Sequence, residues 1–165
     1  MRVNGGKKMT KYIKADRFFY ADHVKENGYL EIKDNHFGKW IENISGQEEI
    51  LDYSGYQIAP GLVDTHIHGF AGADVMDCDS EGILRMSAGL LSTGVTSFLP
   101  TTLTSDTKRL EEASKSVAAV AGKEQGAKIQ GIYFEGPYFT EEYKGAQNPI
   151  YMRNPNLEEF AQWQK

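Results

Sequence analysis

Short runs in which apolar and polar residues alternate fill the first third of the chain. Turn-forming pairs such as Asp34-Asn35 and Ser45-Gly46 separate the runs, and no stretch keeps the 3.6-residue period of an amphipathic helix. We therefore predict a small β layer over residues 1–58, with residues 1–8, which precede a second methionine at Met9, as a lead outside the fold. The predicted strand segments are Tyr12-Ile13, Arg17 to Tyr20, Gly28 to Lys33 and Phe37 to Ile44.

The pattern changes after Pro60-Gly61, where apolar β-branched runs begin to alternate with amphipathic segments. Such alternation is typical of parallel strands joined by helical crossovers, so residues 59–165 are predicted to form an α/β unit. The predicted strands are Leu62 to His68, Val95 to Leu99 and Ile129 to Phe134, the predicted helices are Glu81 to Thr93 and Asp106 to Gly122, and a further helix begins near Asn154-Pro155.

Both complete helices show an apolar stripe at helical spacing. Ser105 or Asp106 is placed to cap the second helix, and Gly122 stands where a glycine commonly ends one. The stripes are Ile83, Leu84, Met86, Leu90 and Leu91 in the first helix and Leu110, Ala113, Val117, Val120 and Ala121 in the second.

Three strand–helix units cannot close a barrel, so we interpret the chain as the front part of a longer protein.

Composition narrows the function classes. The 165 residues carry 18 Lys and Arg against 23 Asp and Glu, a net charge of −5, which argues against nucleic-acid binding because phosphate contacts need a basic face. No run approaches the 18 or so apolar residues of a membrane span. Cys78 is the only cysteine, which excludes an internal disulfide and favours a reducing compartment, with the cytoplasm as the expected location.

Two histidines end the first predicted strand of the α/β unit. Side chains two apart on a strand share a face, so His66 and His68 present two imidazoles side by side, half of a zinc site. The alternative is that they are merely solvated polar residues. Their place at a strand end before the glycine-containing segment Gly69 to Ala73 favours the metal, since strand ends carry the chemistry of α/β barrels.

Glu135 ends the third predicted strand. A carboxylate after an apolar strand is costly unless it is paired or binds a metal, so Glu135 is the best candidate for a carboxylate ligand. The alternative is a carboxylate that accepts backbone N–H groups of the next turn. Asp64 and Asp74, which flank the histidines, are candidates either to orient an imidazole or to cap a turn.

The segment Lys144 to Pro149 is a weaker signal. Its small residues and the Gln147 amide suit hydrogen bonding to a substrate amide or hydroxyl, although an ordinary turn built on Asn148-Pro149 would look the same. His23 and His36 are interpreted as surface residues, and Cys78 has no basic neighbour in sequence that would activate its thiol.

Together these segments resemble the amidohydrolase superfamily. Pro60 to Gly69 is similar to the superfamily's first-strand signature, and Phe134 to Tyr138 followed by Lys144 to Pro149 is similar to the N-acetylglucosamine-6-phosphate deacetylase family within it. The resemblance runs from about Met9 to Lys165. It implies an incomplete (β/α)₈ barrel of the TIM type, with the first three strand–helix units present, preceded by part of a small β-sandwich.

The resemblance also implies the site residues. Glu135 matches the family's carboxylate metal ligand, and His66 and His68 match ligands of an additional metal, with zinc or iron as the divalent ion and one or two ions per site. Ala146 matches a position whose backbone meets the sugar, and Gln147 stands where other members have a histidine proposed to polarise the acetyl carbonyl. The family's other histidine ligands, phosphate-binding residues and catalytic aspartate have no match up to Lys165, so the catalytic residue is unknown.

The implied activity is hydrolysis of the acetamide of N-acetylglucosamine 6-phosphate. The expected partner is this phosphorylated amino sugar, without nucleic acid or membrane, and the complete protein is expected to be a homodimer. We expect the 165-residue chain alone to be inactive. Two alternatives stay open at this point: a non-catalytic truncated barrel that self-associates or pairs with a separate remainder, and an amidohydrolase that acts on another cyclic or N-acyl amide.

Overall fold

A computed structural model describes residues 11–46 and 48–164, so the predicted lead at residues 1–8 lies outside the described residues. The chain divides into two compact units, Met1–Pro60 and Gly61–Lys165. No helix within residues 11–46 or 48–164 is long and apolar enough to cross a membrane.

The first unit is a four-stranded sheet of β1 (Lys11–Phe19), β2 (Val24–Lys33), β3 (His36–Ile41) and β4 (Glu49–Ile58). The order of the strands in the sheet is β3-β2-β1-β4. The central strand β1 pairs antiparallel with β2 and parallel with β4, and β2 pairs antiparallel with β3. The sequence pattern missed β4, because that strand is mostly exposed and lacks a clear apolar face.

A bulge in β1 explains why its apolar residues are irregularly spaced. Ile13 and Ala15 are buried two residues apart, but the next buried residue, Phe18, follows after three. The register with β4 shifts between Ala15 and Arg17, and the extra residue brings Phe18 back to the buried face. The resulting core of Ile13, Ala15, Phe18 and Leu30 is small, as expected for one sheet.

The strands of the second unit are β5 (Leu62–Ile67), β6 (Gly69–Phe70), β7 (Ala73–Asp74), β8 (Val95–Thr102), β9 (Lys128–Ile129) and β10 (Tyr133–Phe134). The unit is built on a parallel sheet in the order β10-β8-β5, so β8 is the central strand. The third predicted strand, Ile129 to Phe134, is divided into β9 and β10, which both pair with β8 in parallel. A short hairpin of β6 with β7 follows β5.

Each helix of this unit begins at a capping side chain. Asp79 accepts the Glu81 N–H, Asp106 accepts the Arg109 N–H, and Asn156 accepts two N–H groups of the last helix. Of the two caps considered for the second helix, Asp106 is the one used. The helices are α1 (Ser80–Leu90), α2 (Thr107–Ala118) and α3 (Leu157–Trp163).

The core lies between the sheet and the inner faces of α1 and α2. Two stripe residues were predicted wrongly: Leu91 is 48% exposed, because α1 ends at Leu90 and a 3₁₀ turn follows, and Ala121 is exposed, because α2 ends at Ala118. Gly122 follows in a turn with a φ of 79°. The largest buried side chains include Ile83, Met86, Leu110 and Phe98.

A buried ion pair joins α3 to the start of α2. Glu159, 9% exposed, receives hydrogen bonds from Arg153 (Nη2 to Oε1, 2.6 Å), from the Tyr138 hydroxyl at 2.8 Å and from the Thr107 hydroxyl. The Arg153 hydrogen bonds lower the pKa of Glu159 to about 2, with Thr107 and Tyr138 adding to them against the opposing effect of burial. The segment between Tyr138 and Arg153 is therefore held at both ends by one carboxylate.

We predict that Glu159 stabilises the fold only at pH values at which its carboxyl group is ionised. Its lowered pKa means that the stabilisation is complete above the usual carboxyl pKa near 4.5 and is lost as the pH falls toward about 2. Glu159→Gln should lower the free energy of unfolding by about 2 kcal/mol at pH 7 and by clearly less at pH 3. Urea unfolding followed by circular dichroism at both pH values measures this.

Glu158→Gln is the matched control, because Glu158 is the exposed neighbour on the same helix and loses the same charge. It should change stability by a few tenths of a kcal/mol at most. If Glu159→Gln lowered the free energy of unfolding equally at pH 3 and at pH 7, an ionic role of Glu159 would be contradicted.

Candidate metal centre

His66 and His68 lie at the carboxyl end of β5, where the strand meets β8. Their Nε2 atoms are 3.3 Å apart, as the shared strand face predicts. The Ile67 N–H between them donates to the Thr101 hydroxyl at 2.9 Å, which holds this end of β5 against β8. The Asp64 carboxylate accepts the His66 N–H at 3.0 Å, so it supports the backbone here rather than an imidazole.

Glu135 reaches the same point from β10, on the other side of β8. Its Oε2 atom lies 2.9 Å from His66 Nε2 and 2.8 Å from His68 Nε2. Residues 69 positions apart in the chain thus meet because the strands run parallel and their carboxyl ends share one edge. The predicted meeting of His66, His68 and Glu135 is what the structure shows.

The ring of His68 is held in one tautomer. Its Nδ1 atom lies 3.1 Å from the carbonyl oxygen of Thr101, which can only accept, so Nδ1 carries the hydrogen. In the neutral form of the ring, which is the form that binds a metal ion, the Nε2 atom therefore presents its lone pair toward Glu135 Oε2. A backbone partner of this kind orients most metal-binding histidines. Nothing in the sequence pattern singled out Thr101, because its contact is made by a carbonyl that every residue has.

These three side chains fit a divalent metal ion. A lone pair of His68 and a carboxylate oxygen face each other at 2.8 Å, and this is favourable only with a proton or a cation between them. Two nitrogens bound tetrahedrally to one zinc are about 3.3 Å apart, given Zn–N bonds of about 2.05 Å. In the part of the chain that the structure describes, no other trio of His, Cys, Asp or Glu side chains comes this close.

Glu135 supplies the negative charge of the site. Burial raises its pKa, but hydrogen bonding to His66 and the charges of His66 and His68, with a further hydrogen bond from Gln147, outweigh burial and hold the pKa below its usual range. The carboxyl group is therefore ionised at neutral pH, the form that binds a cation.

Aromatic and backbone contacts surround the trio. The Tyr133 ring packs edge to face on His66 with 5.0 Å between ring centroids, since Tyr133 and Glu135 share a face. Gly136 has a φ of 87°, and a Cβ there would lie 2.0 Å from the Thr104 hydroxyl oxygen. Glycine is thus required directly after the carboxylate, where the chain bends past Thr104.

The two residues predicted to bind substrate, Ala146 and Gln147, differ in their exposure. Ala146 is exposed in the loop, whereas Gln147 is 8% exposed and its Oε1 atom accepts the Thr104 N–H at 2.8 Å. Asn148 caps a 3₁₀ turn at Pro149–Tyr151, so the turn predicted on Asn148-Pro149 is present beside the buried glutamine. The hydrogen bond between Gln147 and the Thr104 N–H had no counterpart in the sequence pattern.

The remaining candidates lie away from the trio. Asp74 caps a 3₁₀ turn at Val75–Asp77, which is the capping role considered for it. His23 stacks on Tyr20 in the first unit, and His36 is exposed at the start of β3. Burial raises the pKa of the Cys78 thiol, in keeping with an unactivated thiol.

The parallel sheet carries at its edge a histidine–carboxylate trio that could hold a metal ion, and the comparisons with known proteins identify the family. The amidohydrolase family profile matches residues 58–162. The chain belongs to the amidohydrolase family.

Individual relatives make the similarity more specific than the family alone. The chain is 33% identical over 154 residues to N-acetylglucosamine-6-phosphate deacetylase from Vibrio furnissii, a match that covers 92% of this chain and 39% of that protein. It is 32% identical over 155 residues to N-acetylgalactosamine-6-phosphate deacetylase from Escherichia coli O157:H7, with 93% and 40% covered. The chain thus spans about 40% of the length of these relatives.

A solved structure shows the same likeness in three dimensions. The crystal structure of N-acetylglucosamine-6-phosphate deacetylase from Thermotoga maritima superimposes with a TM-score of 0.68 at 29% identity, and the match covers 93% of this chain and 39% of that one. The two units are therefore similar to the corresponding part of a deacetylase.

We predict that the chain binds a divalent ion through this trio. Glu135→Ala and His68→Ala should each weaken Co²⁺ or Zn²⁺ binding at least about 10-fold, because each removes one ligand of three. Isothermal titration calorimetry and, for Co²⁺, the visible absorption spectrum measure the change.

His23→Ala serves as the matched control, because it removes an exposed imidazole far from the trio in sequence. It should leave the affinity within about twofold. Equal binding by Glu135→Ala and the parent chain would contradict the assignment.

Proposed function

We propose that the protein to which this chain belongs hydrolyses the acetamide of N-acetylglucosamine 6-phosphate to glucosamine 6-phosphate and acetate. The observation that carries the proposal is the convergence of His66, His68 and Glu135 at one edge of a parallel sheet. Family membership supports metal-dependent hydrolysis, and the names of the relatives support the substrate.

The proposal includes the architecture around the site. We take β5, β8 and β10 with their helices as the first three strand–helix units of an incomplete (β/α)₈ barrel, and the sheet of residues 1–58 as part of a β-sandwich. The parallel order of the strands and the position of the trio at their carboxyl ends support this interpretation, because barrel enzymes place their chemistry there.

In this proposal His66, His68 and Glu135 hold one or two divalent ions, zinc or iron. Such an ion lowers the pKa of a water molecule toward about 7 and polarises a carbonyl oxygen. The chain's own contribution is to present the ligand atoms in position: Thr101 keeps the Nε2 lone pair of His68 toward the centre, and Glu135 contributes the negative charge that holds the cation.

Substrate contacts are proposed for the loop that follows β10. The Ala146 backbone is proposed to meet the sugar, and the Gln147 amide to donate toward the acetyl carbonyl. The Oε1 atom of Gln147 accepts the Thr104 N–H, so the amide nitrogen is the group that donates to the acetyl oxygen in this proposal. The catalytic acid–base residue is not assigned to any residue of this chain. A homodimer of the complete protein and a cytoplasmic location belong to the same proposal.

N-acetylgalactosamine 6-phosphate is the second candidate substrate, favoured by the relative from Escherichia coli O157:H7. The two sugars carry the same reactive acetamide and differ only in the configuration at carbon 4. We therefore expect residues outside the metal centre to select between them.

We predict that the complete, metal-loaded protein releases acetate from N-acetylglucosamine 6-phosphate. Glu135→Ala should lower kcat/KM at least about 1,000-fold, because the ion that activates water is lost. Acetate release from both sugar phosphates, and from a cyclic amide such as a hydantoin, is measured side by side. Turnover of the hydantoin alone would overturn the substrate assignment in favour of another amide.

The 165-residue chain by itself is predicted to bind metal without turnover. The family resemblance assigns further ligands and the catalytic aspartate to positions that have no match up to Lys165, so water is not activated in the required geometry. The same acetate assay with added Zn²⁺ or Fe²⁺ measures this. Robust turnover by this chain would contradict the prediction, and its absence together with self-association on size-exclusion chromatography would favour a non-catalytic module.

A further inference from the structure

Arg153 follows the loop of residues 138–152, which carries the two residues proposed to contact the substrate. One edge of its guanidinium group binds the Glu159 carboxylate. The Nε atom lies 3.1 Å and 3.0 Å from the two carboxylate oxygens, and Nη2 lies 2.6 Å from Oε1 and 3.2 Å from the Thr107 hydroxyl oxygen. This edge therefore makes the ion pair that joins the end of the loop to α2 and α3.

The other edge of the guanidinium group binds two backbone carbonyl groups. The Nη1 atom donates to the carbonyl oxygen of Ser105 at 3.1 Å and to that of Tyr151 at 2.8 Å. Together with the carboxylate edge, this gives an acceptor to all five N–H hydrogens of the group. The planar fork of arginine is suited to such two-sided binding, which a lysine ammonium group cannot reproduce. Arg153 thus ties the last turn of the loop to the segment that follows β8.

The attachment at Ser105 lies next to the residue that holds Gln147. The N–H of Thr104 donates to Gln147 Oε1 at 2.8 Å, and Thr104 directly precedes Ser105. The loop is therefore fastened to two consecutive residues, once at Gln147 and once at its end through Arg153. Because both attachments lie on one rigid segment, releasing the second should weaken the first.

The backbone of Arg153 also closes the loop on itself. Its N–H donates to the carbonyl oxygen of Pro137 at 3.3 Å, and Pro137 is two residues beyond the candidate metal ligand Glu135. Both ends of the loop thus meet beside the carboxyl end of β10. The closed loop carries Ala146 and Gln147 at the edge of the sheet where the trio lies.

We infer that Arg153 is a positioning residue, whose Nη1 edge holds the loop of residues 138–152 so that Gln147 stays on Thr104. This role goes beyond the stabilising ion pair with Glu159, because it uses the other edge of the guanidinium group. It rests on the proposed function only in that the loop contacts the substrate.

Arg153→Lys separates the two edges. A lysine keeps a positive charge beside Glu159, but its single nitrogen cannot also reach the two carbonyl oxygens on the far side of the guanidinium group. The expected result is a folded protein in which the loop is released from Ser105 and opens more often.

Amide hydrogen exchange at Thr104 tests the inference in the metal-free 165-residue chain. The Thr104 N–H is protected by Gln147 and belongs to a buried residue, so its exchange rate reports opening of the loop. NMR measures it in the parent, Arg153→Lys, Gln147→Ala and the double variant. We expect Arg153→Lys to speed exchange about 10-fold in the parent and to have no further effect in the Gln147→Ala background.

Ile83→Val is the matched control, because it trims a fully buried side chain of α1 that lies outside the loop. It lowers overall stability but should leave Thr104 exchange within about twofold of the parent. An equal acceleration by Ile83→Val and Arg153→Lys would show general destabilisation and overturn the inference. Parent-like exchange in Arg153→Lys, or the same acceleration in both backgrounds of the cycle, would overturn it as well.

Acetate release by the complete protein from N-acetylglucosamine 6-phosphate tests the consequence for the reaction. Arg153→Lys should lower kcat/KM about 10-fold and leave Co²⁺ affinity within about threefold, because Arg153 touches none of the three candidate ligands. Parent-like kcat/KM would overturn the inference and leave the proposed function intact. A complete parent protein that releases no acetate would overturn the proposed function, and the exchange cycle alone would then decide the inference.

A measurement on the parent chain covers the case in which Arg153→Lys does not fold. With both edges bound, rotation of the Arg153 guanidinium group should be slow, so its Nη hydrogens should give separate, slowly exchanging resonances in the ¹⁵N-labelled chain. The exposed Arg17, which pairs with Glu26 only through Nε at 3.0 Å, serves as the internal reference and should give averaged resonances. Averaged resonances for Arg153 would overturn the inference.

Discussion

The structure of the second unit depends on one constraint: parallel strands bring their carboxyl ends to the same edge. β8 lies between β5 and β10, so the residues that leave these strands meet across its end. His66, His68 and Glu135 place their ligand atoms within 3.3 Å of one another at this edge. The lone pair of His68 Nε2 and the Glu135 carboxylate are stable so close together only with a proton or a cation between them. The topology of the sheet therefore brings together the residues of the candidate metal centre.

The central strand β8 separates the two strands that carry the candidate ligands, and residues at its end also hold those side chains in place. The hydroxyl of Thr101 aligns β5, its carbonyl orients His68, and the N–H of Thr104 fixes the amide of Gln147. The ligands themselves lie on the outer strands. Farther along, the Glu159 ion pair holds both ends of the segment that carries Gln147. The polar contacts of Glu159, which stabilise the fold, therefore also fix the ends of the segment whose Gln147 contacts Thr104.

Local sequence pattern was sufficient where burial has a clear period. It predicted α1 and α2, which bury one face against the sheet, and the central strand β8, which is mostly buried. The strand β5 was also predicted, although most of its side chains are exposed, and the cap of α2 was narrowed to Ser105 or Asp106. It failed for β4, whose residues are mostly exposed, and it placed Leu91 and Ala121 in the core, although each lies just beyond a helix end. Helix ends and exposed strands are decided by hydrogen bonds and neighbours that a periodic pattern does not contain.

The amino-acid sequence by itself determined the ligand types and their spacing: two imidazoles on one strand face, and one carboxylate after a later apolar strand. These follow from strand periodicity and from the cost of burying a charge, and they were enough to predict the trio. Only the tertiary structure decided which groups support the trio. Thr101 orients His68 through its carbonyl oxygen and Thr104 holds Gln147 through its N–H, and such backbone contacts carry no residue-specific signal. Gln147 reaches Thr104 because the loop after β10 folds back onto the end of β8.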